Sequence, residues 1–520
     1  MNSHILKERG ILSPLRLPIP PPRHENLQIR EAIRLILFLH CTVKGLLINF
    51  LLKVFLFLED LITYMINKAL LGKVFYMQEI DLILTGGKAL LLDSENTCLN
   101  RASIVINAGD IVAVGHTEQI AKQYCAKQTI IAQDSLIMPG FVNCHTHAAM
   151  TCFRGIADDL ELMDWLNNYI FPAEAKNVNK ELAYWGSLLG AAEMIKSGTT
   201  TFCDMYIFED ETARAAKAAG IRCLIGEVLF DFPSPNFKTP EEGLAYTRML
   251  IEKWKDDPLI NIIVEPHALY TCSPSLLIEA KKLADNYHVP LGFHLLENAA
   301  EKKQLEEKFG KSAVSFLKNI GYLNERLLAF HCVCLSEEDI KMFADHGCKA
   351  GHNPASNMKL ASGVAPIPEM IRAGITVGLG TDGCASNNNL DMIKEMSTTA
   401  KLHKVTRFDP TVMDAKTVVR MATIEGAKAL GMEKTIGSLE AGKKADIIVI
   451  SLDKPHLTPL YNEYSHLVYA MSGADVDTVL INGKIVMENR KLLTINEKEV
   501  MQKVRDIAVK VKQSLRKSRV

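Results

Sequence analysis

Between residues 136 and 382 short apolar runs recur, and each stops at a residue able to do chemistry. Residues 136–144 lead into His145, 260–266 into His267, 289–293 into His294, 327–330 into His331, 348–351 into His352 and 375–381 into Asp382. Runs that are apolar at nearly every position predict strands buried on both faces, as in a parallel sheet. The intervening stretches at 279–287, 301–319 and 337–346 carry helical patterning. Two more apolar runs, 199–203 and 221–225, bring the strand count to one that suits a TIM-type (β/α)8 barrel. In such a barrel functional groups collect at the C-terminal ends of the strands, where every residue named above falls.

Outside that region the pattern changes. Short strands are expected at 81–84, 89–92, 103–106 and 111–114, separated by Gly-containing turns. Similar strands return at 446–450 and 478–481, the latter followed by Asn482-Gly483, a hairpin signal. The fold class expected is therefore α/β: a catalytic barrel over 138–432 and a small β-sandwich composed of 79–137 and 433–493. Residues 494–520 read as a C-terminal helix and tail, with the basic positions of 510–519 a solvated helix end.

Residues 1–76 differ from both. A Pro-rich patch at 14–22 precedes an apolar stretch at 32–76 that is broken by Lys44, Lys53, Glu59, Asp60 and Lys68. A spanning helix wants roughly 20 mostly apolar residues, so a segment near 43–58 makes a flawed span. No small-residue cleavage site marks a signal peptide. The readings are a membrane-surface helix, a poor span, or an extension outside the mature protein. Ordinary strand patterning begins at Met77, which favours the extension and disfavours membrane contact through 1–76.

Composition narrows the class modestly. A chain of 520 residues, 48% hydrophobic, can bury a large core in more than one structural unit. A net charge of −1 points to no nucleic-acid partner. The 12 cysteines are scattered without a C-x-x-C pair, which suggests free thiols and a cytoplasmic setting. Cys332 and Cys334 read as packing residues. The strand-end fragments offer three imidazoles and one carboxylate, a set that can hold a metal and leave a position open for water.

Several fragments are more specific. The run 138–147, Met-Pro-Gly-Phe-Val-Asn-Cys-His-Thr-His, resembles the first-strand signature of the amidohydrolase superfamily. Residues 437–446 are similar to the linker by which that family returns to its sandwich. His294-Leu-Leu-Glu297, the segment 329–332 and 380–382 look like the mononuclear deaminase branch. Segments 265–273 and 351–360 are similar to 5-methylthioadenosine/S-adenosylhomocysteine deaminases, and the resemblance covers about 79–493.

That resemblance implies one zinc per subunit, with iron(II) an alternative, held by His145, His147, His294 and Asp382. His145 and His147, one residue apart, would share a face of an ordinary strand. Glu297 would act as the neutral acid that protonates a ring nitrogen. Asp382 would take the proton of the attacking water and pass it to departing ammonia. His331 would hold that water against the ring. No lysine precedes His267, where Glu265 stands instead, and this disfavours a two-metal site built on a carboxylated lysine.

The implied substrate is a small nucleoside, 5′-methylthioadenosine, S-adenosylhomocysteine or adenosine, converted to its inosine derivative. Glu174 matches the family's ribose-binding carboxylate, and His267 its substrate-contacting histidine, beside Glu297 and Asp382. Trp165 and Phe153 could wall a base or belong to the core; His352 and Asn353 are expected to order a loop. One departure bears on the 5′ group. The family commonly places an arginine after the third strand, yet none appears between Cys223 and Tyr246, where Glu227 and Asp231 stand. Such a site would favour 5′-neutral adenosines. Guanine or triazine deaminases and chlorohydrolases share the metal set and remain alternatives. A non-catalytic barrel would need a missing ligand or acid, and none is missing. The sequence permits a homo-oligomer without specifying one.

Overall fold

The computed structural model describes residues 31–32, 54–65 and 77–516. The chain divides into two units, Met1–Tyr76 and Met77–Val520. In the first, residues 54–65 are helical with Phe55, Phe57 and Ile62 exposed. The Pro-rich patch and most of 43–58 lie outside the described residues. No helix among the described residues is long and apolar enough to cross a membrane.

The second unit opens with largely antiparallel structure, in which Gln78–Thr85 and Tyr124–Ile131 pair parallel. Asp110–His116, Ala102–Asn107, Gln78–Thr85 and Tyr124–Ile131 form a four-stranded sheet in that order. A seven-stranded sheet takes Ser135–Pro139 beside Ile447–Ser451, then Val476–Ile481 and Lys484–Glu488, so segments far apart in sequence share its centre. Leu82, Leu84, Ile104, Ile137, Ile447 and Val449 of these sheets meet in one apolar cluster. Tyr124–Ile131 is absent from the sequence expectation: mostly exposed, it lacks an apolar face.

Residues 136–144, expected as one strand, divide at Gly140. Ser135–Pro139 stays in the seven-stranded sheet, and Phe141–Thr146 starts a parallel one. A Cβ at Gly140 would lie 2.1 Å from the Thr200 side chain, so the chain crosses between sheets only where a hydrogen replaces it. The expected helix at 301–319 is likewise two, Ala299–Phe309 and Ala313–Asn319, parted by Gly310 at φ +64°.

Two parallel sheets position the site. One runs Phe141–Thr146, Thr199–Tyr206, Arg222–Leu229 and Ile260–Ile262; the other Leu291–Leu295, Leu327–His331, Lys349–His352 and Val377–Leu379. The first three strands of the former and the first two of the latter are buried at every position, as the uninterrupted apolar runs predicted. Backbone hydrogen bonds join the sheets: Gly292 N donates to Val264 O at 3.0 Å, and Asp382 N to His145 O at 2.9 Å. Arg222, 2% exposed, anchors the third strand to the returning chain. Its Nε and Nη2 donate to the two Asp446 oxygens at 2.8 and 3.0 Å.

Candidate active site

The strand ends converge on one cavity. His145 closes a strand whose six residues are all buried, and His147 follows it at the start of a short 3₁₀ turn. His294 and His331 lie at the ends of their strands, and Asp382 lies three residues beyond Val377–Leu379. His331 and Asp382 adopt φ +68° and +58°. Non-glycine residues rarely sit there, and such strained backbone concentrates at functional sites.

His145 Nε2 is 3.2 Å from His294 Nε2 and 3.5 Å from Asp382 Oδ1, and His147 Nε2 is 3.1 Å from the same oxygen. The other ring nitrogens explain this crowding. His294 Nδ1 donates to the His267 carbonyl at 2.9 Å, and His147 Nδ1 to that of Met205. With those protons committed, the Nε2 atom of His147 faces the Asp382 carboxylate and that of His294 faces His145. A tetrahedral ion with metal–ligand bonds of ~2.0–2.2 Å spaces its ligands by roughly 3.3–3.6 Å. The donor set fits a divalent metal, and a ligating histidine ordinarily gives its second N–H to a carbonyl in this way. His145 stacks on Phe330, with ring centroids 3.9 Å apart.

Electrostatics agree. Burial, reinforced by neighbouring imidazoles, holds His294 well below the usual histidine range and His145 at about 3, so both are neutral. Burial opposes charge on His147, but the hydrogen bond and charge of Asp382, with the Met205 carbonyl and the Asp204 charge, together outweigh it and lift His147 to about 9. Burial would raise Asp382, yet the hydrogen bonds of His145 and His147 keep it well below the usual carboxylate range. Asp382 Oδ2 accepts from Ser356 Oγ at 2.6 Å and Ser386 Oγ at 2.7 Å, which fixes its orientation.

Beside this cluster Glu297 is 7% exposed, and burial raises its pKa. His331 Nδ1 lies 2.8 Å from Asn357 Oδ1 and 3.8 Å from Glu297 Oε1. Donation to Asn357 leaves His331 Nε2 unprotonated. Glu174 is 7% exposed in the helix Phe171–Asn177 and accepts from Tyr206 Oη at 2.7 Å. Burial pushes it up to about 7, with the Tyr206 hydrogen bond pulling back. His267 Nδ1 meets Thr271 Oγ1 at 2.8 Å, and burial, then the charges of neighbouring histidines, lowers it to about 3.

All eight residues singled out from the sequence surround this one place. Seven line the cavity: His147, Glu174, His267, His294, Glu297, His331 and Asp382. His145 is fully buried. Trp165 lines it as well, whereas Phe153 is fully buried core. His352 pairs with His403 at 3.2 Å, away from the ligand cluster. Glu227 does not face a ligand: it is fully buried and accepts from the backbone of Phe208 and Glu209 and from Asn236. Sequence reasoning missed Tyr206, Ser356, Ser386 and Asn357. The strand-end rule alone could have found Tyr206, the last residue of Thr199–Tyr206.

Residues 136–486 match the amidohydrolase family model. The chain is 63% identical over 440 residues to the 5-methylthioadenosine/S-adenosylhomocysteine deaminase 1 of Syntrophus aciditrophicus, covering 85% of this chain and 99% of that protein. It is 44% identical over 424 residues to a 5′-deoxyadenosine deaminase of Methanosarcina barkeri, covering 81% and 96%. The crystal structure of an adenosine deaminase from Xanthomonas campestris with bound zinc superposes with a TM-score of 0.83 at 36% identity. It covers 84% of this chain and 100% of that one.

Proposed function

Because the chain belongs to the amidohydrolase family, we propose that it is a metal-dependent hydrolase that deaminates 5′-modified adenosines to the inosine derivatives and ammonia. The observation that carries the reading is a buried acid, Glu297, in the same cavity as the inward-facing nitrogens and carboxylate of His147, His294 and Asp382. The hydrogen bonds joining the two parallel sheets support their closing into one (β/α)8 barrel, with the antiparallel sheets a sandwich at its side.

In this reading His145, His147, His294 and Asp382 hold zinc, which when bound supplies Lewis-acid activation of water, lowering its pKa to about 7. The protein does the rest. Glu297, whose pKa burial raises, donates to the ring nitrogen beside the amino-bearing carbon as water adds there. Asp382 accepts the water's proton, oriented by Ser356 and Ser386. The carbon–nitrogen bond then breaks, ammonia leaves with that proton, and the proton of the added hydroxyl returns to Glu297 as the carbonyl forms. His331 Nε2, its tautomer set by Asn357, accepts a hydrogen bond from the attacking water. Glu174 accepts from the two vicinal ribose hydroxyls, and His267 packs beside the sugar.

The test is ammonia release by the zinc-loaded full chain. The panel is methylthioadenosine, 5′-deoxyadenosine, adenosine, guanine and a chlorotriazine. The adenosines should turn over, and Glu297→Gln should lower kcat/KM by about 10²–10⁴-fold, the range of a general acid. Turnover of guanine or the triazine alone would keep the hydrolase and remove the nucleoside.

A further inference from the structure

Around the ribose position the cavity wall changes character. Phe171 stands one helical turn before Glu174, so both side chains share a face of the helix Phe171–Asn177. Its ring centroid is 6.2 Å from His267, and that of Phe230 is 5.0 Å from the same imidazole. Phe232 stacks on Phe230 at 4.7 Å and meets Phe171 at 6.2 Å. Phe171 and Phe230 line the cavity, whereas Phe232 is 39% exposed, so the three rings run from the cavity wall to the surface.

The charges nearby are negative. Among the described residues no lysine or arginine lines the cavity. Asp231, between the two phenylalanines in sequence, accepts from the Ser273 backbone and from Ser273 Oγ at 3.1 Å. The adjoining surface groove contains Arg248, but in company with Asp231, Glu241 and Glu279.

Given the pose proposed above, with the ribose on Glu174, we infer that Phe171, Phe230 and Phe232 form the subsite for the 5′ substituent and select an uncharged apolar group. A methyl or methylthio group buries carbon against these faces, and a thioether sulfur packs well against aromatic rings. An amino-acid-terminated thioether would find no lysine or arginine on the cavity wall to receive its carboxylate. A 5′-hydroxyl would be desolvated among rings that offer no partner.

The experiment compares kcat/KM for 5′-deoxyadenosine, methylthioadenosine, adenosine and S-adenosylhomocysteine. It uses the metal-loaded full chain and its Phe232→Arg variant, with Kd values for the same ligands on Glu297→Gln. The expected result is methylthioadenosine favoured over S-adenosylhomocysteine by about 10-fold or more. Phe232→Arg, at a half-exposed site that tolerates change, should narrow that ratio at least ~10-fold by supplying the missing cation. Deamination of all four with S-adenosylhomocysteine equal or better, or an unchanged ratio in Phe232→Arg, overturns the subsite and leaves the deaminase intact. Absent turnover, with Glu297→Gln still binding methylthioadenosine more tightly than S-adenosylhomocysteine, would instead remove the deaminase reading and support the subsite.

Discussion

Replacing Tyr206 by phenylalanine removes one oxygen and isolates the control of Glu174. The hydroxyl donates to Glu174 Oε1 at 2.7 Å, and the two residues are 3% and 7% exposed, so water cannot substitute freely. A hydrogen bond to a charged group contributes about 1.5–3 kcal/mol. At 1.36 kcal/mol per unit, its loss raises a carboxyl pKa by roughly 1–2 units. Glu174 already stands at about 7 through burial, so the variant's carboxyl should titrate near 8–9 by that arithmetic. An acid is ionised above its pKa, and the ionised form is the one that accepts from both ribose hydroxyls. The rising limb of kcat/KM should therefore move to higher pH. At pH 7 the ionised fraction falls from about one half to between one tenth and one hundredth, a loss of roughly 5- to 50-fold that fades towards pH 9. The assay is a pH profile of kcat/KM for 5′-deoxyadenosine beside its 2′,3′-dideoxy analogue, which has no hydroxyls for Glu174 to accept. A Tyr206→Phe profile that overlays the wild type, or an equal loss on the dideoxy analogue, refutes the reasoning.

Two further outcomes are expected. Exhaustive chelation should abolish ammonia release and lower the unfolding midpoint, and zinc should restore both, because an ion bound only by the folded state stabilises it by mass action. A chelated protein with unchanged activity and midpoint would contradict the metal assignment. Arg222→Met should destabilise the fold by about 3–5 kcal/mol, since it leaves the buried Asp446 carboxylate without its cation. Denaturant unfolding reads this directly, and a loss below about 1 kcal/mol would show that the pair is not holding the returning chain to the third parallel strand.

Much of this protein is legible along the chain because its core strands are buried on both faces. Uninterrupted apolar runs are a local signal, and the residue that ends each run is set by the same stretch of sequence. That is why His145, His294, His331 and Asp382 could be named together from strand ends. Signals that depend on a distant partner were not available. Tyr124–Ile131 is a strand because Gln78–Thr85 lies beside it, not because of its own pattern. Gly140 divides a seemingly single strand because Thr200 occupies the space a Cβ would need.

The site divides in the same way. Sequence determined which imidazoles and carboxylates are present and near which strand ends they stand. Only the folded chain brings His145 within 3.2 Å of His294, turns the Nε2 lone pairs of His147 and His294 inward through the carbonyls of Met205 and His267, and sets Ser356 and Ser386 on Asp382. Likewise, Glu227 and Asp231 look alike in sequence, yet one is buried against a helix N-terminus and the other accepts from Ser273 at a surface groove. The difference is physical: ligand identity is a property of residues, whereas protonation, tautomer and pocket polarity arise from burial and from partners far away in the chain.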